Sequence, residues 1–307
     1  MVCGASVPGS THQQRGLGCD DAYSFAVTGD VVVAAVADGA GSVSGTSAWG
    51  AYVACQSVLD DATNPTFIDG FRAATEANAA ALVRWLFDGA LYRVQRHADT
   101  MGLDPALLAT TLCVGVAGPE VAVFGQIGDG VIAVESAGRI ETLLIEQKQE
   151  YANTTTFLQS EGAMTDGFRA AARVGVSAFG LSTDGMSYKI TDIATGAAYE
   201  PFFRGCWDHV RAGASPSSFA RLLAGIEDDQ TGDDKTMVLV AAHDGGPADG
   251  GAIVTDSSGP PSSTGASYYP GVPVRHDAPP RDHGVSDVAT EPIPRTRGRR
   301  WRGRRNR

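Results

Sequence analysis

The sequence predicts an α+β fold in which antiparallel sheets pack together and helices cover them from outside. Three observations support this prediction. Two apolar runs near the N-terminus are joined by a turn, two long segments with small or apolar residues on one face follow, and four more β-like runs come after them. Of the 307 residues 43% are hydrophobic and 19% charged, which is ordinary for a globular protein with one large core or two small ones.

The first half of the chain contains the clearest element signals. Residues 23–28 and 31–37 are predicted strands joined at a Gly-Asp turn, and the second, VVVAAVA, is apolar throughout, so both of its faces are expected to be covered. Residues 47–59 and 67–97 are predicted helices. Turn residues separate the next four runs, which predicts an antiparallel meander over residues 110–117, 121–127, 131–135 and 139–144.

The second half is less regular. Residues 150–174 lack a sustained pattern and are expected to form a flap, whereas residues 176–182 are predicted to be a strand. The sequence Ser-Pro-Ser-Ser is typical of a helix start and predicts a helix over residues 217–226. An apolar run at residues 237–242 is expected to be the last strand of a folded body that ends at residue 243.

Composition changes after residue 243. Residues 244–294 are rich in Gly, Pro and Ser, which predicts a disordered linker, and residues 295–307 (RTRGRRWRGRRNR) form an arginine-rich tail. The first 243 residues carry 14 Lys and Arg against 28 Asp and Glu, whereas residues 244–307 carry 10 against 7. The basic tail is expected to contact an acidic surface, with nucleic acid, an anionic membrane surface and the acidic body as candidates. The alternative is a solvated tail without a specific partner.

Cysteine usage and hydropathy indicate a cytoplasmic protein. The five cysteines show no CxxC spacing, which argues against a disulfide framework and a structural zinc site. No apolar run approaches the roughly 20 residues that a membrane-spanning helix needs. The N-terminal residues lack the basic and apolar regions of a signal peptide.

Four separated aspartates share one kind of sequence context. Asp21 precedes the first predicted strand, Asp38 follows the second, Asp184 follows the strand at residues 176–182, and Asp233 precedes the last strand. A carboxylate at a strand end is held by rigid backbone and faces an open sheet edge, and a following glycine allows close approach of other groups.

Carboxylates that converge on one point repel each other unless cations are present. Mg²⁺ and Mn²⁺ prefer oxygen ligands, so an all-aspartate site favours these ions, and two of them can clamp a phosphoryl group for in-line attack. Taken singly, each Asp-Gly pair is more simply a turn. The combination of four such sites, in this order, is the stronger indication.

The chain resembles the PP2C (PPM) family of metal-dependent Ser/Thr protein phosphatases, in the bacterial branch with a QDA-like first motif. The resemblance covers about residues 4–243 and rests on six segments: GSTHQQRGLGCDDAYSF, VVAAVADGAGS, ATTLCVGVAG, FGQIGDGVIAV, FGLSTDGM and DDKTMVLVAA. It implies a four-layer α-β-β-α sandwich, two antiparallel sheets flanked by helices. It also implies hydrolysis of phosphoserine or phosphothreonine in proteins by a metal-bridging hydroxide.

Carried over by position, the resemblance implies a site with two or three Mn²⁺ or Mg²⁺ ions. Asp38 would bridge both metals and the Gly39 carbonyl would bind one. Asp184 and Asp233 would hold the metal on one side, Asp21 would act on the other through water, and Asp129 would help to hold a weaker third ion.

Two departures from the family pattern concern the substrate. Many members have His after the Asp-Gly of the second motif, where this chain has Ala40, and Gly130-Val131 stands in place of the arginine of the GDSR element. His12 is a candidate to protonate the leaving alkoxide or to bind phosphate, and Arg15 is a candidate phosphate contact. Their alternatives are a loop histidine bonded to nearby backbone and a surface arginine.

Three functional hypotheses follow. The first is an active phosphatase acting on a phosphoprotein, either a Ser/Thr kinase or its target. The second, motivated by the two departures, is a catalytically weak module that binds a phosphoprotein and regulates it. In the third, the basic tail carries the main function, and the protein is associated with nucleic acid.

Overall fold

The computed structural model of the chain describes residues 1–40, 45–143, 155–192, 194–227, 230–242 and 253–261. These residues belong to one compact unit that spans Met1–Tyr268. The strands in the described ranges are β1 (Val2–Val7), β2 (Ala22–Thr28), β3 (Val31–Ala37), β4 (Leu112–Ala117), β5 (Ala122–Ile127), β6 (Val131–Ser136), β7 (Arg139–Leu143), β8 (Arg169–Arg173), β9 (Val176–Ser182), β10 (Lys235–Ala241) and β11 (Ile253–Ser257). The α-helices there are α1 (Ser10–Gln14), α2 (Ser47–Ala62), α3 (Pro65–Arg72), α4 (Ala79–Met101), α5 (Ser187–Ile190), α6 (Glu200–Arg211) and α7 (Pro216–Gly225).

The strands form two antiparallel sheets, as predicted. One sheet has the order β1-β10-β9-β6-β7 and the other β11-β2-β3-β4-β5-β8. The sheets meet face to face through a core that includes Phe25, Phe124 and Phe179. Helices α2, α3 and α4 pack on the outer face of the six-stranded sheet, and α6 and α7 pack on the five-stranded sheet. The architecture is therefore the four-layer α-β-β-α sandwich.

Strand β3 shows why its apolar sequence was informative. Side chains alternate between the two faces of a strand, so Val33 and Ala35 enter the core under the helices. Ala34 and Val36 enter the core between the sheets. Both faces are covered, and the strand carries its C-terminal residues to the sheet edge with little freedom to move.

The four central strands do not form the single meander that the turn residues predicted. Strands β4 and β5 pair with each other in the six-stranded sheet, whereas β6 and β7 pair in the five-stranded sheet. The chain crosses between the sheets at residues 128–130. Gly128 makes this crossing possible because its φ of +100° lies in the left-handed region that favours glycine.

Two other predicted segments are divided differently. The helix expected over residues 67–97 is interrupted between α3 and α4, where the Asn78 side chain accepts a hydrogen bond from the Thr75 backbone N–H at 2.7 Å. Such local bonds compete with helix formation. Part of the segment expected to be an irregular flap is strand β8, which pairs with β5.

Strand β11 lies inside the segment that composition predicted to be a linker. It pairs antiparallel with β2 and completes the six-stranded sheet, so the folded body continues past residue 243. The β-branched run Ile-Val-Thr supplies the strand, but the surrounding Gly, Pro and Ser hid this signal. The rest of the expected linker, apart from residues 258–261, and the basic tail at residues 295–307 lie outside the described residues.

No helix in the described ranges has the length and apolar character that crossing a membrane requires.

Candidate metal centre

The backbone around Asp38 is fixed by the start of β4. The Asp38 N–H donates to Thr111 Oγ1 at 3.0 Å, and the Asp38 carbonyl accepts from the Thr111 N–H at 2.9 Å and from Thr110 Oγ1 at 2.9 Å. Both threonines are buried. Together they fix the strand end that carries the central carboxylate.

Gly39 is the point where three segments meet. A Cβ atom at this position would lie 2.7 Å from the Asp20 carbonyl oxygen and 2.8 Å from the Ser47 carbonyl oxygen. Gly39 also forms an isolated antiparallel bridge with Thr110. Only glycine fits here without backbone movement, so the Asp-Gly pair has a packing reason beyond its turn preference.

Asp21 is buried where the chain enters β2. Thr183 Oγ1 donates to Asp21 Oδ2 at 2.7 Å, which links Asp21 to the end of β9. Burial raises the pKa of Asp21 well above its ordinary value and the negative charge of Asp234 raises it further, while the hydrogen bond from Thr183 acts in the opposite direction. The fold thus holds Asp21 in surroundings that disfavour the ionised form of its carboxyl group.

Asp184 and Asp233 lie at neighbouring strand ends of the five-stranded sheet. Asp184 begins a 3-10 turn (Asp184–Met186) directly after β9, and Asp233 comes just before β10. These strands pair with each other. Asp184 is partly buried and Asp233 is exposed, so both side chains can be reached from the sheet edge.

The negative charges of these four residues act on one another, most clearly at the carboxyl group of Asp38. Burial raises the pKa of Asp38 well above its ordinary value, and the negative charges of Asp21, Asp184 and Asp233 raise it further. The charges that act most strongly on Asp38 all belong to aspartates. The fold therefore gathers like charges, which disfavours their ionised forms unless a cation is present.

These residues fit a hard divalent cation by their donor chemistry, because carboxylate oxygens are the preferred ligands of Mg²⁺ and Mn²⁺. Within the described residues, however, no three Asp, Glu, His or Cys side chains are arranged as a ready-made metal-binding group. The structure shows an electrostatic neighbourhood of carboxylates and not an assembled coordination shell.

Asp129 lies in the crossing between the sheets. Its carboxylate accepts a hydrogen bond from Thr155 Oγ1 at 2.9 Å. Burial raises the pKa of Cys113, and the charge of Asp129 adds to this rise. It is not among the charges that act most strongly on Asp38. The structure thus places Asp129 beside Thr155 and Cys113.

Arg169 is a residue at the same crossing that the sequence analysis missed. Its Nη2 donates to the Gly128 carbonyl at 2.8 Å, and its Nε is buried with no partner among the described residues. The GDSR arginine is absent from this turn, but β8 brings a guanidinium to it from another strand. The segment around Arg169 was expected to be irregular, so no sequence signal marked it.

His12 and Arg15 have different surroundings. His12 lies in α1 with its side chain 12% exposed, and its Nδ1 is 2.9 Å from each carboxylate oxygen of Asp234. Arg15 ends α1, is exposed, and has no side-chain hydrogen bond or ion pair in the described part of the chain. The structure ties His12 to the acidic site and leaves Arg15 at the surface.

Asp234 is the second residue that the sequence analysis missed. It is buried, and besides contacting His12 it accepts hydrogen bonds from the Gly9 N–H at 2.7 Å and the Asp20 N–H at 2.6 Å. The Asp-Asp doublet at residues 233–234 was the available signal. Adjacent side chains point in opposite directions in extended backbone, so one aspartate faces inward and its neighbour stays exposed.

A cavity of about 560 Å³ opens beside Asp21. Its wall includes Asp20 and Asp21 from the entry to β2, Ser6 from β1, and Ser258 after β11. The site therefore adjoins a space that is large enough for a small ligand or a peptide side chain.

Comparisons with known proteins point to one family. A family model described as "Protein phosphatase 2C" matches residues 8–224. The "Serine/threonine-protein phosphatase 3" of Escherichia coli (strain K12) is 25% identical over 252 residues, which cover 76% of this chain and 95% of that protein.

Two solved structures share the fold, and both are variants of a bacterial serine phosphatase in which one arginine is replaced. The variant with glutamate in place of that arginine matches with a TM-score of 0.55 at 12% identity, covering 79% of this chain and 98% of that one. The variant with alanine at the same place matches with a TM-score of 0.50 at 14% identity, covering 78% and 97%.

Proposed function

The chain belongs to the protein phosphatase 2C family, and from that premise we propose that it is a protein phosphatase that removes phosphate from serine and threonine with the help of divalent metal ions. The named relative, a serine/threonine-protein phosphatase that aligns over nearly its whole length, supports the reaction. The gathering of acidic charge at Asp38 supports the metal dependence.

The single observation that carries this proposal is the surroundings of Asp38. Asp38 is partly buried, and a carboxylate whose strongest charged neighbours are three other aspartates is unfavourable without a cation. Asp38, the Gly39 carbonyl, Asp184 and Asp233 are the proposed metal ligands, with Asp21 acting through water. Two Mn²⁺ or Mg²⁺ ions are proposed, with Asp129 available to a weaker third.

The chain's own residues hold this set in place. Thr110 and Thr111 fix the backbone of Asp38, and Thr183 fixes the carboxylate of Asp21. When bound, the metal ions generate a nucleophile from water at neutral pH and neutralise the charge of the phosphoryl group. Arg15 is free of protein partners in the described part of the chain and is a proposed contact for the substrate phosphate.

A second candidate function is a catalytically weak module that captures a phosphoprotein. Ala40, where many family members have His, is the observation that favours it. This hypothesis predicts tight binding of a phosphopeptide with negligible turnover even at millimolar Mn²⁺. Efficient cleavage of the same peptide would reject it.

The substrate of the protein and its location in the cell remain predictions. The expected substrate is a phosphoprotein, either a Ser/Thr kinase or its target, and the expected location is the cytoplasm. Contact between the basic tail and an acidic surface is likewise a prediction, because residues 295–307 lie outside the described residues.

Metal-dependent hydrolysis tests the proposal. Purified protein should hydrolyse p-nitrophenyl phosphate and a phosphoserine peptide with Mn²⁺, and EDTA should abolish both activities. Asp38→Asn removes a charge from the acidic set and should abolish them as well. The matched control is Asp30→Asn, at the other end of β3, where Asp30 pairs with Arg72 at 2.9 Å near the surface.

Wild-type turnover that persists in EDTA would contradict the metal-dependent mechanism. Equal activity in Asp38→Asn and Asp30→Asn would show that the gathered carboxylates have no part in it.

A further inference from the structure

Release of a serine or threonine side chain from phosphate requires a proton donor, because an alkoxide is a poor leaving group. Of the histidines that the structure describes, only His12 contacts a member of the acidic site. The ring centroid of His97 on α4 lies 5.3 Å from that of Trp49, and Nε2 of His209 on α6 lies 3.4 Å from the Ser218 hydroxyl. His12 is thus the imidazole whose place in the fold suits this task.

Helix α1 is fastened to the turn that carries Asp233. The Thr11 N–H donates to the Gly232 carbonyl at 3.0 Å. Gly9 packs so closely that a Cβ there would lie 2.2 Å from the Asp233 carbonyl carbon. His12 therefore has a fixed position beside the turn before β10 and not the freedom of a loop residue.

Asp234 holds the imidazole in one orientation. Its carboxylate is itself fixed, because Oδ1 accepts from the Gly9 N–H and Oδ2 accepts from the Asp20 N–H. His12 Nδ1 lies 2.9 Å from both oxygens. A carboxylate only accepts hydrogen bonds. Nδ1 therefore carries a hydrogen atom and donates a hydrogen bond to Asp234.

The other ring nitrogen, Nε2, makes no hydrogen bond with any residue that the structure describes, and the side chain keeps 12% exposure. An imidazole whose Nδ1–H is bound to a buried carboxylate is held in one orientation, and its second nitrogen is left for proton transfer.

We propose that Asp234 and His12 form a pair in which Asp234 is a positioning residue and Nε2 of His12 gives a proton to the departing serine or threonine oxygen. This inference rests on the proposed phosphatase function and adds the proton donor to it.

The bond between phosphorus and the side-chain oxygen breaks, and its electron pair goes to that oxygen. The oxygen takes the proton from Nε2, which leaves a neutral imidazole with its Nδ1–H still on Asp234. Water supplies the new oxygen on phosphorus, and the proton that this water loses restores the imidazolium through solvent.

Leaving-group dependence separates this role from a structural one. p-Nitrophenolate leaves readily without a proton, whereas the serine of a phosphopeptide does not. His12→Gln should lower kcat on a phosphoserine peptide by about 100-fold or more but change kcat on p-nitrophenyl phosphate by less than about threefold. Asp234→Asn should lower the ratio of the two activities by about tenfold or more.

Two further variants sharpen the test. In the double variant His12→Gln/Asp234→Asn the ratio should equal that of His12→Gln alone, because the two residues act as one unit. His97→Gln is the matched control and should leave the ratio unchanged. Equal losses on both substrates, or no loss on either, in His12→Gln would overturn the proposal.

The hydrogen bond can be tested without turnover. In ¹⁵N spectra of metal-free protein, the His12 signals, identified by their loss in His12→Gln, should show a protonated Nδ1 that responds to Asp234→Asn. An unprotonated Nδ1 would also overturn the proposal, even if Asp234→Asn unfolds the protein. A wild-type protein that hydrolyses neither substrate would reject the proposed function itself, and this role for His12 with it.

Discussion

At the scale of single residues, the site is a set of carboxylates that the fold holds against their mutual repulsion. Asp38 is the centre of this set, and Thr110, Thr111 and Gly39 keep its backbone in place. Residues that contribute to function in this way are expected to destabilise the metal-free protein, because the arrangement is favourable only with its cation.

The raised pKa values of Asp38 and Asp21 make the stability of the metal-free protein depend on pH. The pKa of Asp38 and that of Asp21 are both raised in the folded state above the ordinary value of 3.8. The folded protein therefore binds more protons than the unfolded chain over the range between the two values. The stability that these protons contribute is complete below the ordinary pKa and is lost as pH rises through the raised one.

Thermal unfolding in EDTA checks this. Asp38→Asn should unfold about 2–4 °C higher than wild type near pH 8, which corresponds to roughly 1 kcal/mol for a domain of this size. The difference should shrink as the pH is lowered to about 6. Asp30→Asn, whose carboxylate is paired near the surface, serves as the control. A variant that is less stable than wild type at both values would contradict the electrostatic account of Asp38.

At the scale of elements, β11 is the least expected part of the fold. It covers the edge of β2, and Ser258 beyond it donates to the Tyr23 carbonyl and accepts from the Tyr23 N–H. Ile253 and Val254 remain about half exposed. The strand therefore contributes through its backbone ladder more than through buried apolar surface.

Two truncations test the contribution of β11. Removal of residues 253–307 should lower the free energy of unfolding by about 1–3 kcal/mol relative to removal of residues 262–307, since only the first deletes the ladder. Urea unfolding of both proteins measures the difference. Identical midpoints would mean that β11 adds nothing to the stability of the sheet.

The elements also show what a single sequence can reveal. The runs at Val31–Ala37 and Val176–Ser182 were predicted with their observed boundaries because they are buried on both faces. Strand β1 and helix α6 were not predicted. The sheet assignment of β6 and β7 was wrong because turn residues show that strands are consecutive but not which sheet each one joins.

The site could be predicted from the sequence only where a local pattern marks its residues. The position of each aspartate beside a predicted strand marked the four acids, and Asp38 and Asp184 are also followed by glycine. The charges of the other three act on Asp38. The link between His12 and Asp234 joins residues 222 positions apart. No local pattern reports a contact of that kind, and the choice between Asp233 and Asp234 depends on which side of the backbone faces inward.

At the scale of the whole molecule, the distribution of charge agrees with a cation-binding role. Residues 1–243 carry 28 acidic against 14 basic side chains. Such a surplus raises the local concentration of divalent cations. Both sheets contribute to the site, since Asp38 extends from the six-stranded sheet and Asp184 from the five-stranded one. Metal binding is therefore expected to stabilise the packing of the two sheets.

Direct titration of metal tests the central claim, that these carboxylates together hold divalent cations. Mn²⁺ should be added to EDTA-stripped protein in a calorimeter, with Asp38→Asn and Asp30→Asn titrated in parallel. Wild type and Asp30→Asn should show saturable binding of two ions, and Asp38→Asn should lose at least one of them. Absence of binding to wild type at millimolar Mn²⁺, or the same binding in Asp38→Asn, would contradict the account.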